Sequence, residues 1–197
     1  MPRKKSGKHA VQRFKDSVEA VRKFVAEAED VQLGARSITW VYEVALLKTY
    51  VAFERLMLDC IVIAINNDTS TISSTTGVRF PTHLTDEVCE YVVTGGGYFD
   101  FKGRDGLIRE IKKFVPGDHW LMEAVKAPQH KTDLERLVAL RNFAAHESAA
   151  SKRAARSAVE QSRIASAGSW LKSQGRLEQI LNGLLALAAD IEFRAPF

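Results

Sequence analysis

Apolar residues recur at steps of three and four along most of this chain, which restricts it to helices. From about residue 9 to 31, Val11, Phe14, Val18, Val21, Val25 and Ala28 mark one face of a first helix, and Gly34 is placed to end it. A longer second helix is predicted from about Ser37 to Asn66, its stripe made by Leu47, Tyr50, Met57, Leu58, Ile61 and Ile65. Shorter helices follow at about 85–93, 104–115 and 118–126. No stretch reads convincingly as a strand, so the expected class is all-α, a helical bundle.

The remaining segments read as connections. Residues 1–8 are expected to be a basic flexible tail, and 9–197 a single helical domain. Asn66 to Thr82 is rich in Ser and Thr, carries Gly77 and Pro81, and is expected to be a loop. Gly95-Gly96-Gly97 is followed by no Gly-Lys-Ser/Thr and preceded by no strand. A turn packed by Tyr98, Phe99 and Phe101 is therefore the better reading than a phosphate cradle. Gly168-Ser169 is expected to start a last helix whose stripe is Trp170, Leu177, Ile180, Leu181, Leu184 and Leu187.

Composition sets the bounds on function. With 46% hydrophobic and 26% charged residues the chain can bury a core. A net charge of +4 permits a polyanionic partner without demanding one. Cys60 and Cys89 stand in apolar surroundings without metal or redox spacing and read as buried thiols of a cytoplasmic protein. The basic start is followed by no apolar region of the signal-peptide kind, and Val51–Ile65 is broken by Glu54, Arg55 and Asp59, so no membrane span is expected. The histidines show no spacing for a metal site, and no cofactor is expected.

The chemistry concentrates in one helix, expected from Thr132 as N-cap, with Glu135 completing a capping box, at least to His146, with an extension through Arg163 as the longer alternative. At about 100° per residue, Leu134, Leu137, Val138 and Ala145 share a face with Arg141 at its centre. A guanidinium there needs an anionic partner. Glu54, centred in the stripe of the second helix with Glu43 on the same line, offers one; a bound phosphate is the other. Asn142 and His146, four apart, share the neighbouring face. A two-fold dimer through this helix would double Arg141, Asn142 and His146 around one cleft. Imidazole moves protons near neutral pH, and arginine holds phosphate bidentately. Together these parts suffice to cleave RNA through its own 2′-OH without a metal. Lys152, Arg153, Arg156 and Arg163 follow as a basic strip for RNA phosphates, or simply a solvated helix face.

Arg141-Asn142-Phe143-Ala144-Ala145-His146 resembles the R-N-x-x-x-H motif of HEPN domains, and the chain is similar in helical layout to HEPN proteins of the RiboL-PSP and MAE_28990 types. The resemblance implies a HEPN-type bundle dimerising through the motif helices. It implies a metal-independent endoribonuclease, of the kind found as toxins or phage-defence effectors and paired with a cognate antitoxin or defence-system partner. Arg141 and His146 would be catalytic, Asn142 would orient them, and Glu54 would support the site from the earlier helix. Tyr98, beside its glycines, would be an accessible target for a modifying antitoxin. The alternative is a non-catalytic module of the same fold that binds RNA or protein through the same cleft.

Overall fold

The structure is a computed structural model, described for residues 6–196. It is all-helical among these residues. The ten α-helices are α1 (Gly7–Asp30), α2 (Ala35–Asn67), α3 (Ser70–Thr76), α4 (Asp86–Thr94), α5 (Gly103–Ile111), α6 (Trp120–Lys126), α7 (Lys131–His146), α8 (Ala149–Ala158), α9 (Ala167–Leu171) and α10 (Arg176–Arg194). The helices predicted over 37–66 and 85–93 appear within two residues of their expected ends as α2 and α4. The chain forms two compact units. One comprises residues 6–14, 54–128 and 187–196, the other 15–53 and 129–186.

The first unit is built on the second half of α2, where every residue from Leu56 to Ile65 is buried. A helix apolar on all sides must be surrounded, and Phe14, Leu107, Ile111, Leu121, Val125 and Ile191 supply the surrounding core. Asp59, 7% exposed, is the charge inside this helix. It is answered by Arg13 Nη2 at 2.7 Å and Arg55 Nε at 3.0 Å. The segment expected as a loop holds the extra helix α3, anchored by one buried residue, Ile72, and ended by Gly77 at φ +70°. Asn66 Nδ2 donates to Leu84 O and Thr69 Oγ1 to Pro81 O, tying down the stretch after it. Cys60 and Cys89 are buried and form no disulfide, and burial pushes the Cys60 thiol far above its usual range.

In the glycine turn, Gly95 and Gly96 adopt φ of +61° and +80°. A Cβ on Gly96 would stand 3.1 Å from the Tyr91 ring. Phe99 and Phe101 pack with ring centroids 5.9 Å apart, whereas Tyr98 is 99% exposed and packs nothing.

The second unit packs α7 against α8 and α9, with Val18, Val21, Leu46, Phe53, Leu137, Leu140, Leu171 and Leu181 in its core. Gly168 is a glycine because a Cβ there would fall 2.0 Å from the Thr39 carbonyl oxygen of α2. Glu43, one turn along, accepts the Gly168 N–H at 3.1 Å. The single last helix expected from Gly168 is instead two, α9 and α10, broken where Gln174 and Gly175 turn to φ +58° and +63°. The helix start also differs at the tail, since Gly7 and Lys8, expected to be flexible, open α1. Residues 1–5 of that tail lie outside the described residues.

Candidate functional site

α7 enters through a 3-10 turn at Pro128–His130, and no side chain caps it, so the capping box expected from Thr132 and Glu135 does not form. At its other end Glu147 takes a left-handed conformation, φ +47°, and its N–H closes on Phe143 O at 3.0 Å. Ser148 then caps a new helix, its Oγ accepting the Ser151 N–H at 3.1 Å. The motif helix therefore ends at His146, the nearer of its two expected ends, and the extension through Arg163 does not form. His146 is its last residue, exposed to solvent.

The buried face of α7 shifts along its length. Leu134, Leu137 and Val138 are buried, as expected; farther on the buried residues are Leu140 and Phe143, and Ala145 is exposed. The cause is α8, which folds back on α7 and takes up the flank of Leu140 and Phe143. Arg136 Nε reaches Ala158 O at 3.4 Å across that contact. Arg141 is consequently half-buried instead of central in a buried stripe. Its guanidinium lies over the Tyr50 ring of α2, 4.4 Å from the centroid, and Nη1 donates to Asn142 Oδ1 at 2.9 Å. One face is thus held against an aromatic ring and the neighbouring amide fixes one nitrogen. Tyr50, 1% exposed, was counted only as core in the sequence; its signal was its place on the α2 stripe, one turn before Glu54. Glu54 is half-buried on α2 and belongs to the other compact unit.

The basic strip divides. Lys152, Arg153 and Arg156 lie on α8, and Lys152 Nζ stands 5.9 Å from the Phe143 ring centroid, at the corner where α7 meets α8. Arg153 and Arg156 line an open surface hollow of about 430 Å³ with Ser157, Glu160, Gln161 and Ser162. Arg163 falls beyond the end of α8, so it does not continue the face that the longer helix would have given it. The motif's arginine, amide and imidazole and the α8 cations are therefore all carried by two consecutive helices of one unit.

A second feature of this unit is apolar and outward. Trp40, Val44 and Val51, with half-buried Leu47 among them, follow one line along α2, and Trp40 is 53% and Val51 59% exposed. Arg36 covers part of the Trp40 ring at 5.0 Å. Among the described residues no helix is long and apolar enough to cross a membrane, and no three His, Cys, Asp or Glu side chains gather as a metal-holding group.

Compared with family models, with curated proteins and with solved structures, the chain gives no match.

Proposed function

We propose that this protein is a metal-independent endoribonuclease of the HEPN kind, acting as a homodimer. The observation that carries the reading is the open end of α7, where a half-buried, ring-backed Arg141 and an exposed His146 are five residues apart on one helix. An arginine braced on one face and free at its rim presents N–H donors in a fixed plane, suited to phosphate oxygens. In the proposed reaction His146 takes the proton from a ribose 2′-OH as that oxygen attacks the adjacent phosphorus. Arg141 holds the non-bridging oxygens as charge develops on them. The P–O5′ bond breaks, leaving a 2′,3′-cyclic phosphate and a 5′-hydroxyl. The proton on the leaving oxygen comes from a second imidazole, which a second copy of the chain would supply. Lys152, Arg153 and Arg156 would bind the flanking phosphates.

The surface that supports a dimer is the outward stripe of α2. Leu134 and Val138 are buried within the protomer and are not available to a partner. Exposed large apolar side chains in one line mark an interaction surface more often than chance exposure does. The biological setting in this reading is an antitoxin-controlled toxin or a defence effector.

The test is cleavage of a mixed RNA pool in EDTA by the full chain and by His146→Ala. The reading expects cyclic-phosphate ends, loss of cleavage in the variant, and no cleavage where the ribose 5′ of the scissile phosphate is deoxyribose. Activity that requires added Mg²⁺, or that survives loss of the imidazole, would overturn it.

A further inference from the structure

The N-terminal end of α2 carries a surface cluster that the nuclease reading does not use. Trp40 is 53% exposed there, and the Arg36 guanidinium, one turn earlier, stands 5.0 Å from the centre of its ring. Lys172, just past the end of α9, brings its Nζ to 3.1 Å from Thr39 Oγ1 and 3.5 Å from Ala35 O. Thr39 and Ala35 directly precede Trp40 and Arg36, so the ammonium borders the same turn. Arg36 and Lys172 are exposed, and among the described residues neither is paired with a carboxylate. The acidic residues nearest in sequence are Glu29 and Asp30, at the end of α1, and Glu43. Glu29 accepts from the Tyr42 hydroxyl at 2.6 Å, and Glu43 from the Gly168 N–H at 3.1 Å.

An apolar partner closing over Trp40 would strip water from the guanidinium without giving it an anion, which is costly. A single-stranded nucleic acid meets both demands of the cluster. Its bases have flat faces for the indole, and its phosphates give the two cations anionic partners. A duplex offers the phosphates but keeps its bases stacked inside. The cluster also stands in register with the motif. Ten residues of α2 separate Trp40 from Tyr50, the ring beneath Arg141, about 15 Å along the helix axis. Thr39, on which Lys172 rests, lies only about 20° around the helix from Tyr50, so the ammonium is on the Arg141 flank with Trp40 beside it. A strand with roughly 3.4 Å between stacked bases covers that distance in about four or five nucleotides.

We propose that Trp40, Arg36 and Lys172 form a second contact site for single-stranded RNA, in which a base stacks on the indole and the two cations hold the phosphates flanking it. The inference rests on the nuclease reading for the identity of the strand and for its other anchor at Arg141. It confines the substrate to single strands and loops that reach about four or five nucleotides from the cut. The seat for a second copy of the chain then centres on Val44 and Val51, and Trp40, at the end of that stripe with Arg36 over it, serves the RNA.

The test is fluorescence anisotropy of the full-length protein with a labelled 2′-O-methyl RNA strand of about twelve nucleotides, within the usual span of single-strand sites. This strand has no free 2′-OH to attack, so it is bound without being cut. Trp40→Leu stays apolar but has no ring to stack on. It should weaken binding about tenfold, while the sedimentation coefficient and melting temperature stay those of the natural protein. Trp40→Phe should recover part of that loss. Arg36→Gln and Lys172→Gln should each weaken binding and lower the slope of log K against log salt by about 0.7. The same sequence as a duplex should bind at least about tenfold more weakly. No binding of the strand, equal binding of the duplex, or an unchanged affinity in Trp40→Leu would overturn the proposal. So would a Trp40→Leu protein that loses its dimer and keeps its RNA affinity, which would make the corner a protein contact. Cleavage of natural RNA by Trp40→Leu with an unchanged KM would sink this inference alone. Trp40-dependent binding of the uncleavable strand by a protein that cuts no RNA would sink the nuclease reading alone.

Discussion

Replacing Arg141 by alanine tests how the motif arginine is held. On the sequence alone, Arg141 reads as a charge in an apolar stripe that needs either Glu54 or a bound phosphate as partner, and losing half of an Arg141–Glu54 pair would cost roughly 3–5 kcal/mol. The structure gives a different sum. The guanidinium is half-exposed, and its contacts within its own unit are the Tyr50 face at 4.4 Å and Asn142 Oδ1 at 2.9 Å. A cation–π contact at a partly exposed site is worth about 0.5–1 kcal/mol. A hydrogen bond between side chains that water can replace adds about 0.5–1 kcal/mol. Arg141→Ala should therefore cost about 1–2 kcal/mol. Tyr50→Leu should cost about 2–4 kcal/mol, because it also empties a fully buried ring site. The pair should couple by about 0.5–1 kcal/mol in a double-mutant cycle. Urea unfolding of the four proteins, with RNA cleavage measured on each, gives both quantities. A loss above about 3 kcal/mol for Arg141→Ala alone would show that the ion-pair account is right and the ring account wrong. Additive losses would show that the guanidinium does not rest on Tyr50.

Three further outcomes are expected. Gly168→Ala should destabilise by about 2–3 kcal/mol in urea melts, because the new Cβ would meet the Thr39 carbonyl at 2.0 Å and backbone cannot move aside as a side chain can; an unchanged midpoint would mean that α9 does not sit on α2. Burial, and then the hydrogen bond from Tyr42 to Glu29, push the Tyr42 phenol up to about 12, so its contribution to stability should be complete below the unfolded value near 10 and lost as pH rises through the folded one. Thermal melts over this range should show a steeper alkaline loss for the natural protein than for Tyr42→Phe, and identical slopes would refute it. Val44→Glu with Val51→Glu should leave the protomer folded, since both side chains are exposed, while sedimentation shifts from dimer to monomer and RNA cleavage is lost; cleavage by a clean monomer would separate the site from the dimer.

The helices that could be read from the sequence are those whose apolar residues repeat. α2 and α4 announce themselves in this way, and the start of α7 lies within two residues of its expected place. α3 was illegible because one residue, Ile72, supplies all its burial, leaving no period to detect. The first unexpected break begins at a non-glycine residue in the left-handed region, Glu147, where the usual stop signal is glycine; α9 ends earlier, at Leu171, and Gln174 and Gly175 turn the chain just before α10. Ser148 was the available clue to the first break, as a good N-cap three residues before Ser151. Without that clue the longer end at Arg163 stays open, and only that longer helix puts Arg163 on a face with Lys152 and Arg156. The candidate site was legible as a set of residues but not in its exposure. Periodicity gives the angle of Arg141 around α7, whereas the depth of that angle depends on which flank α8 covers, a tertiary fact.

This difference relocates the dimer argument. Two copies of a helix can double a catalytic set only if the side chains around the set remain available to the partner. In α7 the leucines beside the motif are used inside the protomer, so the helix has little apolar surface of its own to give. α2 is in the reverse position, with Trp40, Val44 and Val51 turned outward. The two helices meet at Arg141, whose guanidinium covers Tyr50. On α2, Tyr50 lies about 60° of helical rotation from Leu47 and about 100–120° from Val51 and Val44. A partner seated on α2 would thus lie beside the braced arginine without displacing any part of the α7 core. Its own copy of Arg141 would lie beside the same seam, because a two-fold contact uses the same patch on both chains. In this arrangement the surface that joins the copies and the ring that braces the arginine belong to one helix, so a change in the seat of α2 is felt by both.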